Sequence, residues 1–253
     1  MTSVEPQPYR LDVPDDVLDD LRERLQRTRW PDEIAGSRWE YGANLAFMRR
    51  LTERWRDGFD WRAQEAKLNA FDQFRLPLDG TKLHFIHQPG VGPDPLPLLL
   101  VHGWPGSVWE FHELIPRLAD PARFGGDPAD AFTVVAPSLP GFTLSFEAGQ
   151  RRLGIAEMAD LFARLMTDVL GYPRFAAQGG DWGGYIVGRL ANAHSDKLLG
   201  VHLNFLRCPL DMPFPAELTD EDRRYQEEIG HWQTEETGYS LIQGTRPRHR
   251  LMP

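Results

Sequence analysis

Cysteine is nearly absent from this sequence: Cys208 stands alone among 253 residues. One thiol forms no internal disulfide and no zinc cluster built on several cysteines. Asn-X-Ser/Thr acceptors are missing altogether, so nothing favours a glycosylated, secreted protein. Positive charge is in deficit, with 28 Lys and Arg against 37 Asp and Glu and a formal net charge of −9. That balance argues against a nucleic-acid partner, which needs a basic surface, and against a polybasic membrane anchor. No window offers the about 18 consecutive apolar residues of a membrane span. The start, Met1-Thr2-Ser3-Val4-Glu5-Pro6, lacks the basic-then-apolar pattern of a signal peptide. A soluble, cytoplasmic protein is expected. What is present fits a globular chain: 41% hydrophobic and 26% charged residues, enough to bury a sizeable core in one large domain or two small ones.

Residues 1–75 read as a helical layer rich in Trp and Arg. Val17, Leu18, Leu21 and Leu25 suit one face of a helix that begins near Pro14-Asp15-Asp16 and is stopped by Trp30-Pro31. Phe47, Met48, Leu51 and Trp55 mark a second amphipathic stretch, and Trp61, Glu65 and Leu68 a third. The pattern then alternates at Phe74, Leu76 and Leu78, turns at Asp79-Gly80, and alternates again at Leu83, Phe85 and His87, a hairpin signature. His84 and His87 fall on opposite faces of such a strand, so they make no metal pair. From Leu96 onward the strands become continuous apolar runs: Leu98 to Val101, Phe132 to Ala136, Phe175 to Ala177 and Leu198 to Phe205. Helical patterns separate them, clearest at Ala156, Ala159, Phe162, Leu165, Met166 and Val169. Short unalternating strands between helices mean a mostly parallel sheet covered on both faces, a doubly wound α/β fold with its site at the carboxyl ends of the strands. The division expected is 1–75 for the helical segment, 76–207 for the α/β core and 208–253 for an incomplete cap and tail.

Gly179-Gly180-Asp181-Trp182-Gly183 follows one of these strands and opens a helix. The pattern is that of a nucleophile elbow, with Asp where hydrolases more often carry Ser; its glycines permit a strained turn that lifts one side chain above the sheet. A P-loop would need a following Lys-Ser/Thr pair, which is missing. An Asp that merely caps the helix remains the alternative. His102-Gly103-Trp104-Pro105-Gly106 ends the strand at Val101. In this kind of turn the oxyanion-hole donors are the N–H after that strand and the N–H after the nucleophile, here Trp104 and Trp182. The proline at 105 suits a cis bond, and His102 reads as a structural histidine. A carboxylate is already ionised at neutral pH and needs no base for its first attack. It suits displacement at saturated carbon, opening an epoxide or expelling a halide, after which a base-activated water hydrolyses the ester.

His102-Gly103-Trp104-Pro105-Gly106-Ser107, Pro137-Ser138-Leu139-Pro140-Gly141-Phe142 and Gln178-Gly179-Gly180-Asp181-Trp182-Gly183 resemble the microsomal-type epoxide hydrolases. Arg29-Trp30-Pro31, and Gly238-Tyr239 followed by Gln243-Gly244-Thr245-Arg246-Pro247, extend the resemblance over roughly residues 5–247. It implies an α/β-hydrolase fold with a helical N-terminal layer and the start of a cap. It also implies Asp181 as nucleophile and Tyr239 as proton donor to the epoxide oxygen. A small apolar epoxide and water would be the reactants, with no cofactor and no metal. The family places a relay acid and a catalytic histidine beyond the cap, on further strands, and residues 248–253 do not continue its cap helix. Turnover by this chain alone is therefore doubtful, unless His231 or His249 substitutes. The uncovered last strand would invite dimerisation or aggregation. His194, His202, Asp211 and the Asp220-Glu221-Asp222 cluster read as structural or loop residues, and Cys208 as a small buried one. A non-catalytic binding protein and a haloalkane dehalogenase stand as the other readings.

Overall fold

A short strand, β1 (Gln7–Pro8), opens the described chain, and three helices follow: α1 (Asp15–Gln26), α2 (Leu45–Gly58) and α3 (Trp61–Leu68). The computed structural model describes residues 5–205 and 217–245. Cys208, Asp211, Arg246-Pro247 and His249 lie outside the described residues. Two compact units divide the chain, 1–206 and 207–253, and each is described by itself.

Helix α1 starts where Pro14 precedes Asp15 and Asp16, two acids that face the positive end of the helix dipole. It ends earlier than expected. The N–H of Arg27 already donates to the Glu23 carbonyl at 3.0 Å, and Trp30-Pro31 lies beyond the last turn. Val17 is half exposed whereas Leu18 is buried, because adjacent helical residues point about 100° apart. In α2 the Asn44 side chain caps the N–H of Phe47, yet no residue of this helix is buried. Leu18, Leu21, Leu25, Leu51 and Trp55 instead line an open apolar groove. Helix α3 is the one that reaches the core: Leu68 is buried in one cluster with Phe111 and Ile115. Glu65, also buried, accepts from Val13 N–H at 2.8 Å, the Trp61 indole at 3.1 Å and Arg62 at 2.7 Å. Burial opposes its charge, but these donors together hold its carboxyl below the usual range.

The hairpin forms as expected. β2 (Gln73–Leu78) pairs antiparallel with β3 (Thr81–Gln88), Phe74 opposite Phe85 and Leu76 opposite Leu83. Asp79 and Gly80 join them at φ 50° and 75°, the left-handed pair that a two-residue hairpin turn requires. His84 is fully buried, with Nδ1 on Ser138 Oγ and Nε2 on Gln73 Oε1, while His87 meets the Tyr172 hydroxyl.

Beyond the hairpin, β4 (Leu96–Val101), α4 (Leu114–Ala119), β5 (Phe132–Pro137), α5 (Ile155–Arg164), β6 (Phe175–Gly179), α6 (Trp182–Ala193) and β7 (Leu198–Leu203) alternate. Among the described residues the sheet runs β1-β2-β3-β5-β4-β6-β7. The pairs β5/β4, β4/β6 and β6/β7 are parallel and the leading three strands antiparallel. The apolar run in β4 divides by its period of two. Leu99 and Val101 join Phe162 and Ile186 beneath α5 and α6, while Leu98 and Leu100 join Ile115 of α4 on the opposite face. Core on both faces leaves the carboxyl ends of β4 and β6 side by side. At the sheet's end, Leu199 and Val201 of β7 are half exposed.

In the second unit, α7 (Asp220–Glu235) starts at Thr219, whose side chain caps the N–H of Asp222 while Asp222 accepts from the Thr219 N–H at 2.8 Å. The acidic cluster is thus a helix start. α8 (Gly238–Thr245) follows. No helix among the described residues is long and apolar enough to cross a membrane.

Candidate active site

The elbow between β6 and α6 is built by close approach. A Cβ on Gly179 would lie 2.3 Å from the Gly183 carbonyl oxygen, and one on Gly183 would lie 2.0 Å from that of Val101. Only glycine lets helix α6 sit this near the ends of β4 and β6. Between them Asp181 takes φ 49° and ψ −124°, a conformation that L-residues adopt only under constraint. Asp181 occupies the residue position before the helix, but its side chain caps nothing there. Its Oδ1 instead accepts from the Trp104 N–H at 2.8 Å. The helix-cap alternative is thereby excluded.

The loop after β4 contributes that donor. Trp104-Pro105 is cis, as the sequence suggested. Beneath the loop His102 is buried, with Nδ1 on the Gly103 carbonyl at 2.8 Å and Nε2 accepting from Leu139 N–H at 3.0 Å. One ring nitrogen donates and the other accepts, so the imidazole is neutral; burial lowers its pKa to about 4. The Pro137 to Phe142 motif finds its use here. Leu139 donates to His102, the Phe142 ring meets the imidazole edge-on at 6.0 Å, and Ser138 binds the buried His84, whose pKa burial lowers to about 3.

Asp181 and Trp104 open into a cleft of about 550 Å³ lined by Gly103, Gly106, Glu110, Gly180, Asn204 and Phe205 among others. Trp182 begins α6 beside Asp181, its ring 6.1 Å from that of Tyr185. Tyr239 lies in α8 of the second unit and is exposed, as is His231 in α7. His194 ends α6 and meets Asp160 of α5 at 2.7 Å, a structural contact, whereas His202 is exposed on β7. Among the described residues that line the cleft there is no histidine. Among the described residues no group of His, Cys, Asp and Glu could hold a metal ion.

Glu110 and Asn204 went unnoticed in the sequence. Glu110 carried a signal, since Ser107-Val108-Trp109-Glu110 has the spacing of a capping box, which reads as purely local structure. Asn204 carried none. Its side chain fills the space beside Gly180, where a Cβ would meet Oδ1 at 2.2 Å. Chemically the arrangement offers a solvent-open carboxylate at a strained turn, with a main-chain donor already aimed at it. Such a group can attack an electrophilic saturated carbon.

Known proteins are similar to this chain over most of its length. Residues 6–111 match the model of the epoxide hydrolase N terminus, and residues 97–236 that of the alpha/beta hydrolase fold. A Stigmatella aurantiaca protein provisionally named an epoxide hydrolase is 43% identical over 95% of this chain and 54% of its own length. Epoxide hydrolase 1 of Oryctolagus cuniculus is 32% identical over 95% of this chain and 57% of that protein. The solved structure of Aspergillus niger epoxide hydrolase superimposes with a TM-score of 0.80 at 31% identity, covering 97% of this chain and 64% of that one. The chain thus spans a little over half the length of these curated relatives. It belongs to the α/β-hydrolase fold family and carries the N-terminal segment of the epoxide hydrolases.

Proposed function

We propose that this protein opens small apolar epoxides through an ester on Asp181. The reading rests above all on one observation: a carboxylate stands where α/β-hydrolases more often carry a hydroxyl, and it is held by a main-chain N–H. In the first step an Asp181 oxygen forms a bond to one epoxide carbon while that carbon's bond to the ring oxygen breaks. The family resemblance assigns the proton for the departing oxygen to the Tyr239 phenol, whose loss leaves a phenolate and a hydroxyalkyl ester on Asp181. In the second step water adds to the ester carbonyl. The N–H groups of Trp104 and Trp182 stabilise the developing negative charge, and collapse breaks the bond to the diol oxygen, with one proton of the water passing to that oxygen and the other returning to the phenolate, which restores the carboxylate and the phenol. This second step needs a base, and among the described residues no imidazole lines the cleft.

The match of residues 6–111 to the epoxide hydrolase N terminus favours this reading over a haloalkane dehalogenase, which would use the same carboxylate. The same proposal includes a cytoplasmic location, disposal of reactive epoxides such as those of aromatic hydrocarbons, and self-association through β7. The test is parallel incubation with styrene oxide and with 1-bromohexane, followed by intact-mass spectrometry and a bromide assay. A covalent gain of one styrene oxide with no bromide release is expected. Bromide release without an epoxide adduct would replace the reading by the dehalogenase.

A further inference from the structure

Gly180 differs from the elbow glycines at 179 and 183. Its φ lies outside the left-handed region, so the backbone conformation does not call for glycine there. Nor does helix packing. A Cβ on Gly179 or Gly183 would strike backbone atoms, whereas one on Gly180 would meet a single side chain, that of Asn204. Oδ1, Cγ and Nδ2 of Asn204 would stand 2.2, 3.0 and 3.1 Å from it. The sheet brings these two residues together. β6 and β7 pair in parallel with Gly179 opposite Leu203, so Gly180 and Asn204 follow side by side at the carboxyl ends. Gln178, two residues before Gly180, shares its face of the strand. Its Nε2 donates to Asn204 Oδ1 at 3.5 Å, a long bond, while its Oε1 is buried without a partner among the described residues. Leaving a buried amide oxygen unpaired is costly, and the bond at the other end of the amide gives that placement a reason.

The opposite flank of Asp181 is closed by the loop after β4. A Cβ on Gly103 would lie 2.6 Å from Asp181 Cβ and 2.7 Å from Oδ1, the oxygen that accepts from the Trp104 N–H. Because β6 lies between β4 and β7, the strained turn has a neighbour on either side. Given Asp181 as the reacting carboxylate, a premise taken from the proposed function, we infer that Asn204 is a positioning residue. Its amide takes the room that a side chain at 180 would fill and braces the Gly180-Asp181 peptide from the β7 side. The brace keeps Asp181 at its φ of 49° and so keeps Oδ1 on the Trp104 N–H. Asn204→Ala removes the brace and Gly180→Ala displaces it. The double variant puts a methyl group into the room that the amide has left.

These three variants are compared with the 253-residue protein by thermal melting, by amide hydrogen exchange in the peptide spanning 178–184, and by alkylation over a range of styrene oxide concentrations. Asn204→Ala is expected to melt near the parent temperature, yet to exchange its 178–184 amides at least about ten-fold faster, as a local opening does. In each single variant the limiting rate of alkylation falls by roughly ten- to a hundred-fold, the scale set by ångström misplacement of a catalytic group, with the half-saturating concentration unchanged. The double variant recovers to within about three-fold of the parent, because the turn is again filled from the β7 side. A parent limiting rate in Asn204→Ala would overturn the inference. So would a loss confined to the half-saturating concentration, which would make Asn204 a substrate contact, or a double variant as slow as the single ones. If Gly180→Ala fails to fold, Asn204→Ala decides alone. Should the parent protein itself fail to react, the proposed function fails, and unchanged exchange in Asn204→Ala would still overturn the brace.

Discussion

Gly183→Ala is the substitution that joins fold and site most tightly. The added Cβ would stand 2.0 Å from the Val101 carbonyl oxygen, 2.7 Å from its carbon and 3.0 Å from the His102 carbonyl oxygen. All three are backbone atoms at the end of a central strand, so no rotamer change relieves the overlap. Ordinary contact begins near 3.4 Å, and helix α6 has to retreat from β4 by roughly 1.4 Å. Overpacking of this kind costs about 1–3 kcal/mol. A rigid backbone on one side places Gly183→Ala at the upper end, about 3 kcal/mol. For a chain of this size that lowers the melting temperature by about 6–12 °C. The same retreat draws Asp181 away from the Trp104 N–H, and a shift near 1 Å costs on the order of a hundred-fold in rate. Gly188→Ala on the same helix is the control, because nothing lies within 4 Å of its Cβ. Replacing glycine inside a helix there is worth about 0.5–1 kcal/mol of added stability. Circular-dichroism melts of the two variants at equal concentration make the comparison. A Gly183→Ala protein that melts with the parent, or a Gly188→Ala protein equally damaged, would refute the close-packing account of the elbow.

Other outcomes follow from the same geometry. Folded pKa values of about 3 for His84 and about 4 for His102 lie below the unfolded value of 6.5, so the unfolded chain takes up protons that the folded chain does not. Stability is full above about pH 6.5 and falls toward acid by at most about 2.7 kcal/mol per pH unit for the pair. Urea midpoints measured from pH 7 to pH 5 check this, and a flat profile would contradict it. Tyr239→Phe is expected to slow styrene oxide modification, by up to about 10²-fold where the rest of the site is intact; an equal rate would remove Tyr239 from the mechanism. With no imidazole among the described residues that line the cleft, the adduct of the 253-residue protein is expected to persist without steady diol formation, and sustained turnover would point to His231 or His249 as the base. Val201→Lys on β7, which replaces a half-exposed apolar side chain, is expected to reduce concentration-dependent association in analytical ultracentrifugation.

The elbow, the donor loop and the parallel core were legible in the sequence because each depends on local chemistry. Glycine at 179 and 183, the Asp79-Gly80 turn and the apolar runs state their requirements in residue type and spacing. The helical layer was less legible. Val17 and Leu18 look alike in a pattern of apolar residues, and only packing against α2 and α3 separates the exposed one from the buried one. Glu110 was hidden for a different reason. Its spacing from Ser107 announces a cap, and its place on the wall of the Asp181 cleft depends on a loop closure that no local pattern records.

Mass spectrometry of the protein after reaction with styrene oxide tests the central claim most directly, with Asp181→Asn run beside it. The account predicts that the parent gains the mass of one styrene oxide, that the modified peptide contains Asp181, and that Asp181→Asn gains nothing while melting as the parent does. Equal modification of Asp181→Asn, or an adduct mapped to another residue, would contradict it.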